Sequence, residues 1–153
     1  MSATTATAAI PIGAPVDLQH GGYTGEEWLI VCTIPASTPA NTQIAATASR
    51  GAGAAQLSTL QGPGDEYWSV ETIYTFGSVP SPDVQLIINV NGSNQPFTVL
   101  FSSVLQTNFA RPGLQYAWTL NPSSTLSFAM NPIGTVSGSM TVYFRLKIGR
   151  FKM

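Results

Sequence analysis

The sequence predicts an all-β fold: a sandwich or barrel of about eight short strands, preceded by a flexible N-terminal arm. Three observations carry this expectation. Apolar residues recur with period two through most of the chain, the spacing that sends alternate side chains to opposite faces of a strand. Clusters of Gly, Pro, Asn and Asp interrupt these runs about every 8–12 residues, the rhythm of sandwiches and barrels. Eleven Pro and fourteen Gly among 153 residues oppose long helices.

Residues 1–15, rich in Ala and Thr and broken by Pro11 and Pro15, have no periodicity that could bury a face and read as the arm. Residues 16–153 read as one domain, since a chain of this length is a prior for one. The strands expected in order are Trp28–Ile34, Thr42–Ala48, Tyr67–Phe76, Val84–Val90, Phe97–Phe101, Gln115–Leu120, Thr125–Met130 and Met140–Ile148. The last is the clearest: Met140, Val142, Phe144, Leu146 and Ile148 alternate with Thr141, Tyr143, Arg145 and Lys147. Val84, Leu86, Ile88 and Val90 repeat the pattern. Asn91-Gly92 then signals a turn, with the connection running on to Pro96 as a longer hairpin loop. Ala54–Gln61 is expected to form a helical turn or two.

Composition narrows the class. Charged residues are 8%, against about 25% in ordinary globular domains. Ser, Thr, Asn and Gln replace them, 47 residues in all. With 44% apolar residues, disorder of the bulk is excluded, because disorder needs low hydrophobicity and high net charge. Short neutral polar groups lose their water more cheaply than Lys or Glu, and interface cores are depleted of charge. The composition therefore favours a surface that other proteins cover. Cys32, alone of its kind, rules out an internal disulfide and reads as a small buried hydrophobe. Met1–Ala14 has no Lys or Arg and no continuous apolar run, so it does not read as a secretory signal. No window has the roughly 18 apolar residues of a membrane-spanning helix.

Charge is segregated along the chain. All seven acids, Asp17, Glu26, Glu27, Asp65, Glu66, Glu71 and Asp83, precede position 84, and five of six bases, Arg111, Arg145, Lys147, Arg150 and Lys152, follow it. The stretch 145–153 has four cations and no acid. The leading expectation is that Arg145, Lys147, Arg150 and Lys152 meet an acidic patch on a neighbouring copy, with Glu26 and Glu27 as complementary contacts. On that expectation, charge reversal at Arg150 and Lys152 impairs assembly and leaves the fold intact. Two other readings stand beside it: contact of the basic tail with nucleic acid or an anionic membrane, and a solvated edge strand whose charges deter aggregation.

Chemistry is sparse. His20 is the sole histidine, no Gly-x-Ser-x-Gly elbow is present, and no Cys/His set has zinc spacing. Gly51-Ala52-Gly53 lacks the third glycine of a dinucleotide fingerprint. The pairs Glu26-Glu27 and Asp65-Glu66 are adjacent, whereas glycosidase carboxylates face each other across a cleft. Asp65, Glu66 and Asp83 lack the EF-hand spacing for calcium. No catalytic residue, cofactor, metal or small-molecule substrate is expected. Trp28, Trp68, Trp118, Tyr67, Tyr74, Tyr116 and Tyr143 offer either core packing or a stacking platform for a sugar, with core packing preferred for Trp68 and Trp118.

Two stretches carry a resemblance. Trp28–Gln43 reads as a strand ending in Thr33-Ile34-Pro35-Ala36 before a polar turn. Leu120-Asn121-Pro122-Ser123-Ser124-Thr125-Leu126-Ser127-Phe128 resembles the Pro-Gly-Asp-Thr-Leu step into a strand found in many bacteriophage jelly-roll virion proteins, with Ser in place of Gly and Asp. The resemblance implies an eight-stranded jelly roll and a structural role in a virion, as a small capsid, vertex or decoration protein assembled in the host cytoplasm. The partners it implies are copies of itself and other capsid proteins, with residues 1–15 as an assembly arm. The alternative function is a carbohydrate-binding β-sandwich, lectin or adhesin-like, with loop aromatics as its platform.

Overall fold

Period two in the sequence becomes antiparallel pairing in space. The computed structural model describes residues 23–51, 53–105 and 114–152; the expected arm, together with Asp17, His20 and Arg111, lies outside them. Among the described residues nine strands form: β1 (Tyr23–Ile34), β2 (Ile44–Ser49), β3 (Thr59–Gln61), β4 (Glu66–Tyr74), β5 (Val84–Val90), β6 (Ser93–Leu100), β7 (Leu114–Leu120), β8 (Thr125–Pro132) and β9 (Met140–Lys152). One short helix, α1 (Phe101–Val104), follows β6. The protein is all-β, a single antiparallel sheet curled into a sandwich-like half-barrel.

The order across the sheet is β6-β5-β8-β2-β1-β9-β4-β7, with β3 added on β8. The curl turns on β2. Its first half, Ile44–Ala46, pairs with Met130–Phe128 of β8, and its second half, Thr47–Ser49, pairs with Val31–Leu29 of β1. One strand thus joins two four-stranded layers, β7-β4-β9-β1 and β6-β5-β8-β2. Their inner faces meet in one core. β9 supplies Val142, Phe144, Leu146 and Ile148, and β1 supplies Ile30, Cys32 and Ile34. From the opposite layer come Leu86 and Ile88 of β5 and Leu126, Phe128 and Met130 of β8. Each such side chain contributes about 1.5–3 kcal/mol by leaving water. Phe101 of α1 closes one side, its ring edge-on to Phe144 at 5.6 Å.

Four local expectations are corrected. Among the described residues there are nine strands rather than eight, because Thr59–Gln61 pairs with Ser127–Thr125 of β8 in place of the expected helical turn. Leu57 also bridges to Ala48, and burial of Leu60 outweighs the helix propensity of Ala54-Ala55. The β5–β6 hairpin has a two-residue turn, not a longer loop. Asn91 (φ 52°) and Gly92 (φ 81°) both take the left-handed region that type I′ turns require. The slack falls into β6, where three residues, Gln95, Pro96 and Phe97, lie between the pairs Asn89↔Asn94 and Ile87↔Thr98. Such a bulge is where a strand tolerates a proline, which has no N–H to give. Phe101 starts a helix instead of ending a strand. No side chain of Leu100 caps α1; instead Asp83 accepts from the Ser102 amide (3.3 Å) and hydroxyl (2.5 Å). Finally, β1 begins at Tyr23 and β9 runs to Lys152, so the basic stretch is a strand between two neighbours.

Candidate functional site

That longer β9 positions the most concentrated chemistry among the described residues. Between Tyr23 and Ile34, β1 pairs along its whole length with β9, and β4 flanks β9 on the other side. Even-numbered residues of β1 face inward, so Glu26 shares a face with Trp28, and on β4 Glu66 shares one with Trp68. Arg150 of β9 lies between them, next to Thr24 on β1 and Trp68 on β4. The sequence Glu-x-Trp, repeated on two strands, therefore brackets one arginine.

The geometry is closely satisfied. Arg150 donates from Nε and Nη2 to the two oxygens of Glu66 (2.7 and 2.9 Å), and from Nη1 to Glu26 Oε2 (2.6 Å). The Trp28 and Trp68 indole N–H groups donate to Glu26 Oε1 (3.3 Å) and Glu66 Oε1 (3.2 Å). Arg50, just past β2, approaches Glu26 Oε2 at 3.4 Å. Its guanidinium lies 5.2 Å from the Trp28 ring centre, and that of Arg150 lies 5.8 Å from the Trp68 ring centre. The Glu26 and Glu66 side chains are about nine-tenths buried. Hydrogen bonds from Arg150 hold the Glu66 carboxyl below its ordinary range, against the opposing pull of burial; the same bonds raise the Arg150 pKa still further. A carboxyl so held stays ionised and is a poor proton donor at neutral pH. Above this floor opens a cleft of about 450 Å³, walled by Trp28, Arg50, Leu57, Thr59, Gln61 and Pro63 among others.

The other expected contact residues also find neighbours within the chain. Lys152 reaches Asp65 at 3.4 Å, both side chains some 60% exposed. Glu27 faces outward, accepts a hydrogen bond from the Tyr74 hydroxyl and lies opposite Lys147 on β9. Burial and that carboxylate push the Tyr74 phenol up to about 12. Arg145 lies opposite Leu29 and Tyr74 with its guanidinium 5.9 Å from the Phe76 ring centre. A groove of about 360 Å³ opens there, lined by Leu29, Phe76, Pro80, Phe101, Tyr143 and Arg145 among others. Phe76 and Tyr143 are half exposed, at 52% and 50%. Trp28 and Trp68 are core residues, while the side chain of Trp118 lies outside those described. Burial pushes the Cys32 thiol up to about 11. Among the described residues, no three His, Cys, Asp or Glu side chains are grouped to hold a metal ion, and no helix is long and apolar enough to cross a membrane.

Sequence reasoning singled out Glu26 and Arg150 but missed Glu66, Arg50 and the two tryptophans as their partners. The available signal was the doubled Glu-x-Trp spacing. Neither a protein-family model nor a curated protein sequence matches this chain.

Proposed function

We propose that this chain is a single jelly-roll structural subunit of a virion, a capsid or capsid-decorating protein that packs against copies of itself. The observation that carries the reading is the nesting of strand pairs. With the three-residue β3 set aside, eight strands remain, and they pair first with last (β1–β9), second with seventh (β2–β8), third with sixth (β4–β7) and fourth with fifth (β5–β6). A long antiparallel hairpin rolled on itself gives this nesting, and the nesting supports a double-sheet jelly roll, an architecture used by viral capsid and lectin domains.

Fold alone does not choose between those uses; the surface supports the first. The chain is 8% charged, and its Phe76 and Tyr143 project half exposed beside the groove at Arg145. A freely diffusing domain is better served by a charged surface, and a face of this kind is typical of protein contact. Electron microscopy of the purified chain tests the reading. Regular rings, sheets or shells are expected; a field of dispersed single subunits under all assembly conditions would contradict it.

A further inference from the structure

The Arg50 cleft has features that a purely structural staple does not need. Its floor is fixed before anything binds, because three hydrogen bonds hold Arg150 between two buried carboxylates. Its rim, in contrast, has unused polar capacity. Arg50 is 54% exposed and engages Glu26 through one terminal nitrogen, out of five N–H donors on a guanidinium. Glu26 accepts hydrogen bonds from Trp28 and Arg150 and lies in ion-pair range of Arg50, leaving about two of the four lone-pair sites of a carboxylate. Gln61 uses its amide nitrogen on the Gly62 and Ser123 carbonyls, which leaves its Oε1 as an acceptor. Thr59 is exposed beside it. Between these groups lie the apolar surfaces of Leu57, Pro63 and the two tryptophans.

We propose that this cleft binds a neutral saccharide ring. Its volume of about 450 Å³ lies within the roughly 300–1,000 Å³ range of small-molecule sites. Charge selects the class of ligand. Arg50 and Arg150 balance Glu26 and Glu66, so a charged ligand would leave one group unpaired in a partly desolvated place, which is costly. Hydroxyl groups donate and accept at once, so a polyol satisfies Arg50, Glu26, Thr59 and Gln61 together. The C–H face of the same ring meets Leu57 and Pro63. A preformed floor lowers the ordering cost of binding. The site includes Trp28 and Trp68, two aromatics of the alternative sugar-platform reading, but they line its wall from β1 and β4 rather than from loops, and it does not depend on self-assembly.

The test follows the indole N–H signals of Trp28 and Trp68 by NMR, since both groups bond to the carboxylates under the cleft. Glucose, galactose, mannose and N-acetylglucosamine are titrated to about 100 mM, with glucuronate as the charged comparison and acetate as a free carboxylate. At least one neutral sugar is expected to give saturable shifts with a millimolar dissociation constant, and glucuronate to bind roughly tenfold more weakly. Arg50→Gln and Leu57→Asp, both at exposed positions, should each weaken binding by roughly tenfold or more with little change in melting temperature. Lys147→Ala should leave binding unchanged. The proposal is overturned if no neutral sugar moves the signals, if both variants bind as the wild type does, or if glucuronate or acetate binds as well as the neutral sugars.

Discussion

Arg150 shows how a residue's role depends on which face of a strand it occupies. Beside two glutamates about nine-tenths buried, its removal leaves uncompensated charge in a poorly solvated place. Arg150→Met should therefore destabilise the fold by about 3–5 kcal/mol, read from urea denaturation. Lys152→Ala, which breaks an ion pair exposed on both sides, should cost under about 1 kcal/mol; equal losses would remove the distinction. Charge reversal at Arg150 thus perturbs the fold itself, and Lys152 and Lys147 are the cleaner probes of contact between copies. Glu66 gives the matching pH dependence. Its pKa is lowered in the folded state from an ordinary 4.5, so the folded state binds fewer protons than the unfolded one. That stability is fully present above about pH 4.5 and is lost as pH falls through the folded value. Wild-type stability should decline on acidification below pH 4.5 more steeply than that of Glu66→Gln, measured by denaturant midpoint at each pH. Parallel declines would place the acid sensitivity elsewhere. The burial of Cys32 was legible from its apolar neighbours alone. The Arg150 cluster was not, because hydropathy assigns arginine and glutamate outward, and only the pairing of β1, β9 and β4 shows that they face in together.

At the scale of elements, alternation of large apolar residues revealed the cores of β5, β8 and β9, and it failed where inward positions are polar. The pattern starts β1 at Trp28 because Gly25, Glu26 and Glu27 interrupt it, although the pairing with β9 continues to Tyr23↔Phe151. β3 was missed for a different reason. Three residues are too few to show a period, and their strand state comes from the partner edge offered by β8. In the β5–β6 hairpin, Asn91-Gly92 signals the turn, but Pro96 falsely suggests a longer loop, because a bulge in β6, not the turn, absorbs it. Gly92 sits at φ 81°, where a β-branched side chain is strained. Gly92→Val should lower stability by about 1–2 kcal/mol and reduce the melting temperature; Gly53 carries the same φ of 81°, in a segment outside any named strand, and serves as a comparison site. An unchanged melting temperature for Gly92→Val would mean that the turn tolerates another geometry.

For the whole molecule, the separation of acids from bases along the chain does not become two charged hemispheres. β9, from the basic half, threads between β1 and β4, from the acidic half. Glu26 and Glu66 meet Arg150, Asp65 meets Lys152, and Glu27 lies opposite Lys147. Much of the complementarity expected between copies is satisfied within one chain. The proposed self-association therefore rests on neutral polar and aromatic surface, whose attraction salt does not screen. Sedimentation equilibrium over a concentration series, at about 0.05 M and again at about 0.5 M salt, tests this directly. Masses that are multiples of 16.2 kDa and that persist in the higher salt are expected. A 16.2 kDa species at every concentration in both buffers would contradict self-association.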